Sequence, residues 1–305
     1  MSKDRRFNGI IFMLLAALGF SLMGGAVKGL KGQFSAGQLV LYRNAIGLLF
    51  ILPGILLKKP SQEGGRLTGL IFRGFVGTFA LYSLLYCILH IPLGTAMSYS
   101  MTSTLFIAVF SFILFREQHG GTVAVALLLG FTGMLLIYRP AIQFPWHYHL
   151  AGLLSGMSAA VAYMTVNRLS RYYDARIIVL SFLLSGVIIP SISMILHYVF
   201  GLHPDGLFII DFKWPTRQEW IWILLMGAAA LFGQYFVTKA YGADKAGIVS
   251  IFGYAGIIYA VFIGMLFGDK FPEWITWLGI FCIVLSGVAI SWQKRKVIIP
   301  QENKK

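Results

Sequence analysis

Charge is scarce in this chain. Only 12% of its 305 residues are Asp, Glu, Lys or Arg, against about 25% in a soluble domain. That shortage excludes an ordinary water-soluble fold. Cysteine is scarcer still: Cys87 and Cys282 both sit inside apolar runs. Two isolated thiols make neither a disulfide framework nor a Cys-rich metal site, and both read as packing residues. No N-x-S/T sequon occurs. Catalytic signatures are missing too: no Ser-His-Asp order, no phosphate-binding glycine loop and no H-E-x-x-H. The six histidines fall at the ends of apolar runs or between them, and His147 and His149 lie two apart without further ligands. The expectation is a non-enzyme that needs no cofactor and no metal.

What the chain has is hydrophobic length. Its apolar content is 58% and its mean hydropathy +0.77. A spanning helix needs about 20 apolar residues, and ten segments meet that: 8–28, 36–57, 67–89, 93–115, 121–138, 148–168, 176–200, 219–240, 245–268 and 274–293. The predicted fold class is all-α integral membrane, with ten transmembrane helices. The first segment follows a basic start and lacks an A-x-A-like exit, so it reads as a retained helix rather than a cleaved signal. Glycine is abundant, at 34 residues, which suits close helix packing in lipid. Breakers and charges gather between segments, as in Lys58-Lys59-Pro60-Ser61 and Arg139-Pro140. Short links near His90-Ile91-Pro92 and Ala243-Asp244-Lys245 predict one tight helix hairpin in each half.

The net charge is +14, yet the bases are dispersed over short loops without interleaved aromatics, which excludes nucleic acid as a partner. They set topology instead. With both termini inside, seventeen of the 25 Lys and Arg face the cytoplasm, six face outward, and Arg43 and Arg73 lie within spans. The predicted location is the cytoplasmic (inner) membrane of a bacterium, multi-pass, with cytoplasmic termini. The expected partners are membrane lipids and a small-molecule substrate, in a monomer or homodimer.

A repeat organises the chain. IAVFSFILFRE ends at Glu117 and YAVFIGMLFGD ends at Asp269, and five identical residues recur at an offset of 152. The halves are expected at 1–140 and 147–293, followed by a cytoplasmic basic tail, 294–305. Five spans per half is odd, so the second half enters from the opposite side and the repeat is inverted. Two inverted bundles are an architecture of transporters, with two similar minima, each open to one side.

The same offset pairs polar residues within spans: Ser98 with Ser250, Thr102 with Tyr254, Tyr82 with Gln234, and Tyr86 with Thr238. Within each helix they are four apart, hence on one face. These eight are expected to line a cavity among spans three, four, eight and nine. The alternative is that they hydrogen-bond between packed helices. Arg43 lies deep in span two and is a ninth candidate for substrate binding, its planar fork suited to carboxylate or phosphate. Arg73, near the start of span three, is assigned a structural or gating role, with snorkelling to the interface as the simpler reading. Glu117 and Asp269 join it: a carboxylate at a helix C-terminus opposes the macrodipole, so each needs a partner. Spans four and nine carry glycines and a leading Pro92, which suit kinking or unwinding near a site. No Asp or Glu is central in any span. A carrier exchanging protons for cationic drugs would need one, so the cargo is expected to be neutral, zwitterionic or anionic.

The segments RGFVGTFALYSLLY (73–86), IPLGTAMSYSMTSTLFIAVFSFILFRE (91–117), GFTGMLLIYRP (130–140) and GQYFVTKAYGADKAGIVSIFGYAGIIYAVFIGMLFGD (233–269) resemble the drug/metabolite transporter superfamily, specifically its EamA-type ten-helix members. The resemblance spans nearly the whole chain as two tandem modules. It implies a five-plus-five inverted repeat, cytoplasmic termini, a central cavity and transport of small metabolites by alternating access. A flippase for lipid or lipid-linked head groups on the same fold is the alternative.

Overall fold

The computed structural model describes residues 3–58, 60, 63–115, 121–138, 144–201, 203, 210–243 and 252–302. Those residues form eleven helices and no strand. They are α1 (Lys3–Gly29), α2 (Ala36–Leu57), α3 (Leu67–His90), α4 (Leu93–Met101), α5 (Ser103–Phe115) and α6 (Gly121–Tyr138). After these come α7 (Trp146–Leu169), α8 (Ala175–Phe200), α9 (Arg217–Ala243), α10 (Ala255–Leu266) and α11 (Trp274–Glu302). Six of them (α1, α2, α3, α7, α8 and α9) are long and apolar enough to cross a membrane. Helix α11 continues beyond 293, through the basic stretch, to Glu302.

The exterior is apolar. Leu49, Phe50, Phe75, Leu128, Ile195 and Phe262 are all more than half exposed. Polar groups point inward: Gln38, Asn44, Ser98, Thr102 and Ser286 have no exposed surface. Water would drive those leucines and phenylalanines inside; hydrocarbon imposes no such demand, whereas an unpaired polar group in hydrocarbon costs several kcal/mol.

Contacts pair α1 with α9, α3 with α7, α2 with α8, and α6 with α11, while α1 also meets α10, and α7 meets α4 and α5. Glycine makes the closest crossings possible. A Cβ on Gly19 of α1 would stand 2.8 Å from the Gly233 nitrogen of α9, and one on Gly133 of α6 would stand 2.7 Å from the Gly279 oxygen of α11.

The fourth expected span is broken. Helix α4 stops at Met101, and Thr102 adopts φ −62° and ψ −11° with its N–H bonded to the Tyr99 and Ser100 carbonyls, before α5 resumes at Ser103. Phe252 and Gly253 are helical, Tyr254 is a turn with φ −62° and ψ −20°, and α10 starts at Ala255. The two breaks fall at an offset of 152, and the kink expected from the glycines occurs at Thr102 and Tyr254. The expected hairpin at His90-Ile91-Pro92 is present, with the Ile91 N–H closing α3 on the Cys87 carbonyl. Its counterpart at 244–245 lies outside the described residues.

Candidate substrate cavity

Two arginines define the centre of the molecule. Arg43 of α2 and Arg73 of α3 are each 2% exposed, and both stack on one ring, Phe182 of α8. The guanidinium carbons lie 4.9 Å (Arg43) and 4.5 Å (Arg73) from its centroid. Such cation–π contacts stabilise by about 2 kcal/mol or more when desolvated. The two cations border a cavity of about 70 Å³, together with Ser100 of α4, Tyr163 of α7 and Gln234 of α9. The rest of the wall is mostly Ala, Met, Leu and Phe.

The supporting contacts explain the local sequence. Arg43 Nη1 donates to Asn44 Oδ1 at 2.8 Å, and Asn44 Nδ2 donates to the Val40 carbonyl at 2.7 Å. Asn44 packs on Gly186, where a Cβ would fall 2.2 Å from Asn44 Nδ2. Gly77, one turn beyond Arg73, leaves room for the guanidinium, since a Cβ there would stand 3.0 Å from both Arg73 Nη1 and the Phe182 ring. Arg43 Nε, Arg73 Nε and Arg73 Nη1 are buried without a hydrogen-bond partner. No carboxylate among the described residues pairs with either arginine.

Of the nine predicted substrate-binding residues, the cavity wall contains Arg43 and Gln234. Gln234 Nε2 points to Thr238 Oγ1 at 3.5 Å. Thr238 donates to the Gln234 carbonyl at 2.8 Å and borders a different recess. Ser98 is buried and donates to the Gly94 carbonyl of its own helix at 2.8 Å. Thr102 donates to the Tyr99 carbonyl at 2.6 Å. Tyr82 packs beside Gly37 of α2. Tyr86 belongs to an aromatic cluster with His90 and Tyr148, at 4.6 and 5.4 Å. Tyr254 is buried at the helix break. Ser250 lies outside the described residues. Arg73, expected to be structural or gating with snorkelling to the interface as the simpler reading, does not snorkel: it is 2% exposed and borders the cavity with Arg43. Its rotamer is a property of packing against Phe182 and Gly77, and helical spacing alone does not give it.

Of the predicted structural or gating carboxylates, Glu117 lies outside the described residues, and Asp269 has the partner its position demanded. Asp269 Oδ1 accepts from Lys28 Nζ at 3.0 Å, and Oδ2 accepts from the Leu93 N–H at 2.7 Å, at the start of α4. Lys28 Nζ also donates to the Ile91 carbonyl at 2.8 Å. Gly268, at φ +84°, supplies the left-handed turn that brings Asp269 back over the end of α10. A recess of about 540 Å³ opens here, bordered by Lys28, His90, Asp269, Lys270 and Glu273. A second, of about 510 Å³, lies at the opposite end of the helices, bordered by Glu63, Arg171, Asp174, Thr238 and Lys239. The central cavity stands between them.

An all-helical, inside-out fold with two buried arginines in a cavity between two recesses is consistent with a membrane transport protein, and sequence comparison agrees. The profile of the EamA-like transporter family matches residues 7–139 and again 146–292. The chain belongs to that family, within the drug/metabolite transporters, and is an integral multi-pass membrane protein. It is 30% identical over 301 residues to the pseudopaline exporter CntI of Pseudomonas aeruginosa, covering 97% of this chain and 100% of that one. It is 28% identical over 310 residues to a riboflavin transporter of Vibrio cholerae, covering 96% of each. A solved crystal structure shares the fold at a TM-score of 0.62 and 19% identity, over 94% of this chain and 98% of that one.

Proposed function

We propose that this protein is a secondary carrier that moves a small polar metabolite across the bacterial inner membrane by alternating access, with the Arg43–Arg73–Gln234 cavity as its substrate site. The observation that carries this reading is the central cavity with its two buried arginines. It lies between recesses at opposite ends, as alternating access to one central site requires. The helix pairing supports an inverted repeat of two five-span halves, 1–140 and 147–293. Exchanging α1 with α7, α3 with α9, α2 with α8, α6 with α11, and α4–α5 with α10 leaves the pairing unchanged. The matched breaks at Thr102 and Tyr254 follow the same exchange. A two-fold pseudo-symmetric pair of bundles can rock either way about the central site. With the termini on the cytoplasmic side, the Lys28–Asp269 contact closes the outer face.

The test needs no substrate. Ser100→Cys places a thiol in the cavity wall, and the native Cys87 and Cys282 are buried. In proteoliposomes of known orientation, a membrane-impermeant thiol reagent should modify Ser100→Cys from either side. Lys270→Cys and Lys239→Cys should each react from one side only, and from opposite sides. Modification of Ser100→Cys from a single side under all conditions would sink alternating access.

A further inference from the structure

We propose that the central cavity is built for a small dicarboxylate, held between Arg43 and Arg73. This rests on the carrier reading above and names its substrate class.

Both guanidinium carbons lie within 5 Å of the centre of one phenylalanine ring. They are therefore less than about 10 Å apart, and being buried they are screened by salt much less than exposed charges would be. Arginine stays protonated in proteins, so two like charges share one apolar chamber. A buried charge is normally paired with an opposite charge or a metal, yet the only hydrogen bond that either guanidinium makes among the described residues goes to the neutral Asn44 amide. Three guanidinium nitrogens, Arg43 Nε together with Arg73 Nε and Nη1, are left without an acceptor. Mere structural glue would consume these donors. An arrangement that holds them open, with Gly77 keeping the space beside Nη1 clear, is a receptor awaiting acceptors.

The missing partner is therefore acceptor-rich and anionic, and two cations are neutralised by two negative charges. Carboxylate matches the planar fork of each arginine bidentately. The cavity, at about 70 Å³, is far below the roughly 300–1,000 Å³ of pockets for drug-sized ligands, which favours a short dianion over a nucleotide or a lipid. Its apolar remainder, including Ala80, Ala159, Met97 and Phe182, suits a methylene spacer between two carboxylates. Cationic cargo is disfavoured by both arginines.

The experiment is thermal denaturation of the purified full-length protein in detergent, titrated at fixed pH and ionic strength with succinate, glutarate, succinamide, butyrate and inorganic phosphate. A ligand of the folded state raises the melting temperature by mass action. Succinate or glutarate should stabilise saturably, butyrate more weakly, and the uncharged succinamide not at all. Arg43→Gln and Arg73→Gln should each weaken the dicarboxylate at least tenfold. Each variant's own ligand-free melting temperature is the baseline for its shift, because Gln removes both a buried charge and a cation–π contact on Phe182. Arg73→Lys keeps the charge without the fork and should bind with intermediate affinity. The proposal is overturned if neither dicarboxylate stabilises, if succinamide matches succinate, if phosphate binds more tightly than either dicarboxylate, or if both Gln variants keep the dicarboxylate response. None of those results touches two-sided modification of Ser100→Cys, so failure of the substrate class and failure of the carrier reading are separable.

Discussion

Lys28 and Asp269 meet at 3.0 Å across 241 positions of sequence, tying the end of α1 to the turn after α10. Asp269 also accepts from the Leu93 N–H, so one carboxylate holds the lysine and the first turn of α4. An anion at a helix N-terminus is favoured by the macrodipole, and here the carboxylate that follows one helix stabilises the start of another.

Asp269→Ala should be the most damaging single change at that end. Lys28 is 5% exposed in its side chain and Asp269 17%, so removing the carboxylate strands a buried ammonium. Breaking a buried pair from one side costs about 3–5 kcal/mol. The double variant Lys28→Met/Asp269→Leu should regain part of that loss. A double-mutant cycle on unfolding midpoints measures it, and additive single losses would refute the coupling.

Gly19→Ala should separate α1 from α9. The added Cβ would meet only backbone: the Gly233 nitrogen at 2.8 Å, its Cα at 2.9 Å and the Ala229 oxygen at 3.0 Å. Backbone of a packed helix cannot swing aside as a side-chain tip can, so the helices must part. Overpacking of this kind costs about 1–3 kcal/mol. Gly54→Ala, where a Cβ meets nothing within 4 Å, is the control and should leave the melting temperature within about a degree or two of the parent, since surface changes stay within roughly 0.5 kcal/mol.

How much of this was legible beforehand follows from which forces are local. The long apolar runs yield the helices directly, because hydrocarbon requires backbone bonds to close within the segment. The register between Thr102 and Tyr254 was visible as a sequence offset, and both positions are helix breaks. Side-chain direction was not legible. Tyr82 and Tyr86 are four apart on α3, yet one packs beside Gly37 and the other joins the His90–Tyr148 cluster. Ser98, Thr102 and Thr238 satisfy themselves on carbonyls of their own helix, so a polar stripe need not line a chamber. The partner of Asp269 and the inward turn of Arg73 depend on contacts between distant helices, which periodicity does not encode.

Gly77→Ala tests the cavity without removing a charge. Its Cβ would press on Arg73 Nη1 and on the Phe182 ring, each at 3.0 Å. The guanidinium tip can give by a few tenths of an ångström, so the fold should survive with a change of less than about 1.5 kcal/mol. The donor geometry moves, however. Half-saturation in dicarboxylate transport or stabilisation should worsen several-fold while maximal transport changes less, the pattern of lost ground-state binding. An unchanged half-saturation would mean that Arg73 does not touch the substrate.

Asp174 links α8 to α2 at the second recess. Its Oδ1 accepts from the Arg176 N–H at 2.8 Å as the N-cap of α8, and both its oxygens hold the Arg176 guanidinium. That guanidinium in turn donates to the Gly54 and Lys58 carbonyls at 2.8 and 2.9 Å, closing the end of α2. Partial burial pushes the Asp174 carboxyl up, but its hydrogen bonds to Arg176 and the nearby positive charges outweigh this and hold it below its ordinary value of 3.8. A pKa lowered by folding contributes stability above the unfolded value and loses it as pH falls through the folded one. Asp174→Ala should therefore cost about 0.5–2 kcal/mol at neutral pH, as loss of an N-cap does, and the gap from the parent should narrow as the pH drops below about 4. Melting curves of parent and variant between pH 7 and pH 3 give the comparison. A gap that stays constant over that range would show that the ionised carboxylate is not what stabilises the junction.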